Sequence, residues 1–575
     1  MADFQSPQQE PGTERRLLLV FALTFLIILA SQPLLKKYGP KTPEPTPQVQ
    51  NAPVTSTPAA AVAPPAAKTP ASAGAKQSSA ESETVVENDL YRIRFTNRGG
   101  QVKSWVLKKF QDSKGQALEL VNTTASEKYG YPLSLWTYDE ALRNQLNSAL
   151  YVQSPDAGPS LTAPANISFE YSDVNVSVRK TFRFDHSYVV RVETSVEQKG
   201  IEISAFPAWP AGFGDETSPP AYAASRVEYQ NASGVERVAL KKVVGANTVR
   251  GPFAWAGVTD QYFAALFLPE DPADSVLVTL RTPLDNPQDA KHPLEVLGAA
   301  VGRAGQPTAQ RMYVGPKALD VLETVPVAGL PAGTDPDLRK LVDFGDWLGY
   351  IARPLFLWLK WTYRHIVPNW GWAIVIQTVI INLALLPLRI SQMKSMLKMQ
   401  RVAPQIKSIQ EKYKKYGMRD PRKQAMNEEI ASLYKKEGVN PAGGCLPLVI
   451  QMPFLFAYYR MLGVALDLRL AHWAWIPDLS SPDPYHILPI AVIISMLFMQ
   501  RMTPQAGMDP AQQKMMNIFM PLMLGYISWN LAAGLCLYWS VGNLIGIVQQ
   551  IIMNRTPLGR EMREMMEKRA RKKDK

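Results

Sequence analysis

A chain of 575 residues exceeds one ordinary domain, and its mean hydropathy of -0.12 averages a polar part with an apolar part. The formal charge of +12 is concentrated: residues 389–444 hold thirteen Lys/Arg against five Asp/Glu, and residues 555–575 hold nine against four, a pattern suited to anionic lipid or nucleic acid. The two cysteines, Cys445 and Cys536, fall in or beside apolar runs, which excludes a disulfide framework for the soluble part, and there is no HExxH pair, Cys/His cluster or GxxxxGK[ST] loop; no metal or cofactor is expected, and the chain does not read as an enzyme.

In chain order, residues 1–16 form a short N-terminal segment. Leu17–Leu35 is an apolar run long enough to span a bilayer, flanked by Arg15-Arg16 and Lys36-Lys37. It lacks a small-residue cleavage site and reads as an uncleaved anchor, transmembrane helix 1. Residues 36–83, with nine prolines between Pro40 and Pro70, read as a disordered linker. From 84 to 325 the pattern changes to short alternating runs such as Val176–Phe184 and Val189–Val196, separated by turn signals such as Asn97-Arg98-Gly99-Gly100. This predicts an all-β sandwich.

Residues 344–366 carry Asp346, Arg353, Lys360 and Arg364 at spacings of seven, seven and four on one helical face, among Trp, Phe and Leu. Such a helix lies in the membrane interface. Further transmembrane helices are expected at 370–388, 446–466, 485–502, 515–530 and 534–552, giving six spans with the first. The loop 467–484 holds one Arg against three Asp, so the positive-inside rule places the basic segment 389–444 and the tail 553–575 in the cytoplasm and the β domain outside. The basic segment predicts a helical hairpin. Its Lys412, Lys414, Lys415, Arg419, Arg422 and Lys423, with Arg571, Lys572 and Lys573 of the tail, are candidate contacts for a ribosome or for lipid, as well as ordinary solvated charges.

The span 370–388 and its continuation carry Thr378, Asn382 and Arg389 at spacings of four and seven, a polar stripe within apolar sequence. A charge at a span's centre costs about 2.5–3.5 kcal/mol even on lenient scales, so such residues face protein or a wet cavity. Further candidates for that cavity are Gln451, Tyr458 and Arg460 in the next span. Gln451 and Arg460 are nine residues apart and on opposite faces, so one of them points elsewhere. Arg460 also fits snorkelling to the outer interface.

Asn440-Pro-Ala-Gly-Gly-Cys-Leu-Pro447 followed by Gln451-Met-Pro453 resembles the YidC-type membrane protein insertases, which have mitochondrial and chloroplast relatives. Asp509–Met516, Met520-Pro521, Gly534–Trp539 with Asn543, Arg353-Pro-Leu-Phe356, Gly99-Gly100 and Trp255 through Gln261-Tyr-Phe263 agree with the same family in the same order. The resemblance implies a bacterial inner-membrane insertase and chaperone with a periplasmic β domain. Its five-helix core would enclose a hydrophilic groove, and its partners would be nascent membrane proteins, a Sec-type translocon, the ribosome and the phospholipid bilayer. It also implies groove-lining roles for Tyr538 and Trp539. The chain departs from the pattern at Asn382, where many members carry an Arg, so Arg389 and Arg460 are candidate substitutes. Two competing readings are a small-solute transporter, whose expected internal repeats are not visible, and a membrane-anchored carbohydrate-binding β domain, which would require paired carboxylates or a catalytic His within 84–325.

Overall fold

The computed structural model describes residues 75–112, 114–155, 158, 160–214, 225–285, 293–330, 336–345, 347–413, 416, 420–439, 446–502, 515–557, 559–561 and 564. The expected first span, the N-terminal segment, most of the linker and the end of the basic tail lie outside them.

Strict alternation builds the β region. Along Val176–Phe184 every second residue is buried, and Val189–Gln198 repeats the pattern in the opposite phase, the period of strands with one covered face. These two pair antiparallel in the middle of a ten-stranded sheet. Its path runs Gly234–Ala239, Arg226–Asn231, Trp255–Thr259, Phe263–Pro269, Thr308–Pro316, Val189–Gln198, Val176–Phe184, Ala165–Ser172 and Val152–Ser154, with Ile201–Glu202 beside Val189–Gln198. Two five-stranded sheets accompany it, one centred on Tyr91–Thr96 and one on Leu294–Arg303. Phe95 of the first packs against Phe182 of the large sheet at 5.1 Å between ring centroids, and Trp105 meets Trp209 of the other small sheet at 6.0 Å. Short helices α1 (Thr123–Tyr129) and α2 (Glu140–Ser148) start on the side-chain caps of Asn122 and Asp139. Helix α3 (Leu319–Leu322) follows the last strand.

The tether expected up to residue 83 is shorter than the sequence suggests. Lys76 N donates to Ser172 O and Ser78 N to Leu150 O, both at 3.0 Å, so its final residues are stitched onto the sandwich edge. Within the strand Val176–Phe184 one buried position is a charged residue. Lys180, in phase with Val178 and Phe182, is fully buried and donates from Nζ to the carbonyls of Gly99 (2.7 Å), Gly100 (3.0 Å) and Leu133 (2.6 Å). Burial pulls its pKa down to about 7, while three converging carbonyls, which accept best from an ammonium, oppose that.

The helical region comprises α4 (Gly349–His365), α5 (Trp370–Ala384), α6 (Leu386–Lys412), α7 (Arg422–Lys436), α8 (Leu446–Val464), α9 (Ile487–Met502), α10 (Met520–Ser528) and α11 (Ala533–Arg555). Leu383, Ile494, Leu544 and Ile552 are 56–61% exposed, an apolar exterior that belongs in lipid rather than water. Helix α4 buries Ala352, Leu355, Phe356, Leu359 and Thr362 and exposes Tyr350, Leu357 and Trp361. Of its expected charged seam, Arg353 and Arg364 are exposed, Lys360 is largely covered and lies 3.6 Å from Asp320 and 3.5 Å from Asp467, and Asp346 is outside the described residues.

Among the described residues one helix, Ala533–Arg555, is by itself long and apolar enough to cross a membrane, and Trp370–Ala384 with Leu386–Lys412 qualifies as a pair across a 48° bend. Ile487–Met502 and Met515–Ser528 are shorter apolar helices. The expected straight run 370–388 therefore breaks at Leu385: Pro387 supplies no N–H and is accommodated in the first turn of α6. At the N-terminal end of α5, Asn369 caps the helix by accepting from Trp372 N and donates to His472 O at 3.2 Å. Next to it a Cβ at Gly371 would lie 2.2 Å from the Trp473 ring, so only glycine allows that indole to rest on the helix.

Candidate functional site

The polar stripe lies between α5 and α11. Thr378 Oγ1 bonds back to Ile374 O at 2.7 Å, and Asn382 Nδ2 to Thr378 O at 2.8 Å, so each side chain spends a donor within its own helix. Asn382 Oδ1 then accepts from Arg389 Nη2 at 3.1 Å. From the facing helix Gln549 Nε2 reaches Asn382 O at 3.3 Å, and Gln549 Oε1 is buried without a partner among the described residues. Thr378 is fully buried and Asn382 is 5% exposed, whereas Arg389 is half-buried. The stripe is thus covered at Thr378 and Asn382 and partly open at its arginine.

Two glycines four residues apart on α11 face these side chains, and Gly546 is the one whose missing side chain makes room, for Arg389. A Cβ at Gly542 would sit 3.9 Å from both Asn382 and Thr378, and one at Gly546 would be 2.9 Å from Arg389 Nη1. Lower on the same helix Asn543 donates to Ser495 Oγ of α9 at 3.0 Å. Gln549 and Gly546 did not emerge from the sequence reading. The spacing Gly542-x-x-x-Gly546 inside an apolar helix was the available signal for a close approach.

A second polar link crosses three helices. Tyr458 OH donates to Gln377 Oε1 at 2.7 Å, Gln377 Nε2 donates to Leu355 O of α4 at 3.0 Å, and the Tyr458 and Tyr538 rings stack 4.0 Å apart. Trp539, next along α11, is half-buried. Arg460 is placed elsewhere: its Nη2 lies 3.7 Å from Asp343 beneath the β region, away from Asn382. The side chain of Gln451 is outside the described residues.

On the basic hairpin, Lys412 pairs with Glu429 at 3.2 Å, and Arg422 pairs with Asp420 at 3.0 Å while lying 3.9 Å over the Tyr416 ring. These two candidate contacts already have intrachain partners. Lys414, Lys415, Arg419, the Lys423 side chain, Arg571, Lys572 and Lys573 are outside the described residues.

A β-sandwich joined to helices with an apolar exterior and a buried polar stripe defines a membrane protein with a large extramembrane domain. The family profile for the 60Kd inner membrane protein matches residues 361–560, and that for the YidC periplasmic domain matches residues 83–358. A Geobacter metallireducens membrane protein insertase YidC is 32% identical over 94% of this chain and 98% of its own length. Its Syntrophus aciditrophicus counterpart is 29% identical over 94% of this chain and 99% of its own. A crystal structure of an active YidC insertase is similar over 84% of this chain and 95% of that chain, at 18% identity and a TM-score of 0.34. The chain belongs to the YidC family of membrane protein insertases, inner-membrane proteins with a periplasmic domain.

Proposed function

We propose that this protein inserts and helps to fold nascent transmembrane segments by way of the stripe Thr378–Asn382–Arg389, faced by Gln549, Tyr538 and Trp539, acting as a hydrophilic groove that opens toward the cytoplasm. A client with a short polar flank must drag that flank through hydrocarbon. Hydrogen-bonding groups reaching partway in shorten the dry path, and burial of the client's apolar span in lipid drives the step, so no nucleotide is consumed. The observation that carries the reading is the bond from Arg389 to Asn382. Where many relatives have a cation, this chain holds an amide, and a guanidinium from one turn beyond the Leu385 bend reaches back to it. Arg389, rather than Arg460, then supplies positive charge to an acidic flank.

In the same reading six helices span the bilayer, both termini are cytoplasmic, and α4 lies in the outer interface with Arg353 and Arg364 toward headgroups. Clients arrive alone or beside a Sec-type translocon, and ribosomes dock on the basic hairpin and tail. Site-specific photocrosslinking to a stalled nascent chain is the test. Probes at positions 382 and 549 are expected to capture the client and a probe at 460 to miss it; capture from 460 alone would remove the stripe from the pathway.

A further inference from the structure

Where the β region meets the outer ends of α8 and α11, a cavity of about 130 Å³ opens between Arg226, Lys317 and Arg460 on one side and Leu462, Val464 and Leu535 on the other. It is smaller than the ~300 Å³ at which substrate pockets begin, a size for one headgroup-sized polar group. Asp260 and Asp343 also line it, leaving one more positive than negative charge.

The cations are poorly spent on those carboxylates. Arg226 is 3.6 Å and Arg460 3.7 Å from Asp343, beyond hydrogen-bonding distance for N–H···O. Among the described residues neither guanidinium makes a hydrogen bond. Lys317, almost fully buried, donates a hydrogen bond from Nζ to the backbone carbonyl of Asp260 at 3.0 Å. Gln261 anchors the wall by donating to Gly463 O at 2.7 Å, and its buried Oε1 has no partner among the described residues. The site therefore offers guanidinium and ammonium donors and an apolar wall continuous with the helices.

The geometry points to a binding site for the phosphodiester of an outer-leaflet phospholipid: the phosphate meets Arg226, Arg460 and Lys317, and the glycerol end leaves along Leu462 and Leu535. Arg–phosphate contacts are charge-assisted and directional. The apolar wall is what favours a lipid over inorganic phosphate. The inference rests on the orientation given above, with the β domain outside, and not on the groove.

The test uses the full chain in phosphatidylcholine nanodiscs containing phosphatidylglycerol, with retained lipid counted by native mass spectrometry. Arg460→Gln is expected to lower phosphatidylglycerol retention roughly tenfold, the worth of one charged hydrogen bond, and Arg460→Lys to restore part of it. Asp343→Asn, which removes the competing carboxylate, is expected to raise retention. Unchanged retention in Arg460→Gln overturns the site. Loss in Asp343→Asn as large as in Arg460→Gln overturns it too, since that is the behaviour of a mere latch between domain and helices. Displacement of the lipid by millimolar inorganic phosphate assigns the site to the free ion and overturns the lipid. Crosslinking of clients from position 382 is a separate readout, so failure of either idea leaves the other standing.

Discussion

Two regions of this molecule bury polar groups and do so on opposite terms. In the sandwich, the Lys180 ammonium is surrounded by three carbonyls at 2.6 to 3.0 Å. Between α5 and α11, the Asn382 side chain is matched at 2.8 and 3.1 Å, but Gln549, also buried, makes a bond of 3.3 Å and has an acceptor left over. A fully satisfied buried network fixes a structure, whereas an incompletely satisfied one has bonding capacity to exchange. The Lys180 site spends a buried charge on its own backbone, whereas the site between the helices holds an uncharged pair with one unmatched acceptor at Gln549.

The strongest way to break this contrast is Lys180→Met, which leaves three carbonyls without their donor. At about 1–3 kcal/mol for each orphaned group, the β region should lose about 3 kcal/mol or more, read as a lower urea midpoint in pulse proteolysis of the full chain. A midpoint equal to that of the parent protein would mean the ammonium is incidental. The same residue carries a pH dependence. Burial lowers its folded pKa to about 7, an unfolded lysine stays protonated up to about 10.4, and between those values the unfolded chain holds the extra proton. Stability of the region should therefore rise from pH 7 toward pH 10 and be flat, for this group, below pH 7.

Arg389→Ala should reduce insertion of a client with an acidic flank about tenfold, or ~1.4 kcal/mol, and affect a neutral-flank client much less; equal loss for both would indicate a packing role. Gly546→Val sharpens that result. Its side chain needs the space that Arg389 Nη1 now occupies, so roughly threefold loss with the same client preference is expected, about half the Arg389→Ala effect in free energy. Full activity would show that the guanidinium works equally well from another position. The smallest effect is local. Lys103 and Arg98 hold the Glu81 carboxyl down to about 2, against about 4.3 unfolded. Its contribution is complete above pH 4.3 and lost as pH falls toward 2, so amides of Glu83–Glu87 should exchange faster in that window. No change there would remove Glu81 from the stitching of the first strand.

Much of this was legible because it is periodic. The alternation of Val176–Phe184 shows a strand and, read literally, already assigns Lys180 to the buried face, since it is in phase with Val178 and Phe182. The spacing of Thr378, Asn382 and Arg389 gave the stripe. What escaped the sequence depends on partners distant along the chain. The pairing of Arg460 with Asp343, the hold of Gln261 on Gly463, and the insertion of Gln549 opposite Asn382 are all set by tertiary packing, which leaves no local mark. The Leu385 break is intermediate. Pro387 announces it, but hydropathy alone runs straight through.

The indole of Trp473 rests directly on α5 at Gly371. From that contact Thr378 is about 10 Å and Asn382 about 16 Å down the helix axis at 1.5 Å per residue, and in the proposed orientation this brings the amide close to the midplane of a ~30 Å hydrocarbon layer. In the proposed mechanism, a client's polar flank that has passed Arg389 and reached Asn382 still has about 16 Å of helix ahead of it before Gly371. A larger residue at 371 would have to displace the Trp473 ring, and so the seat of the loop on α5, while the spacing down to the stripe stays fixed by the helix.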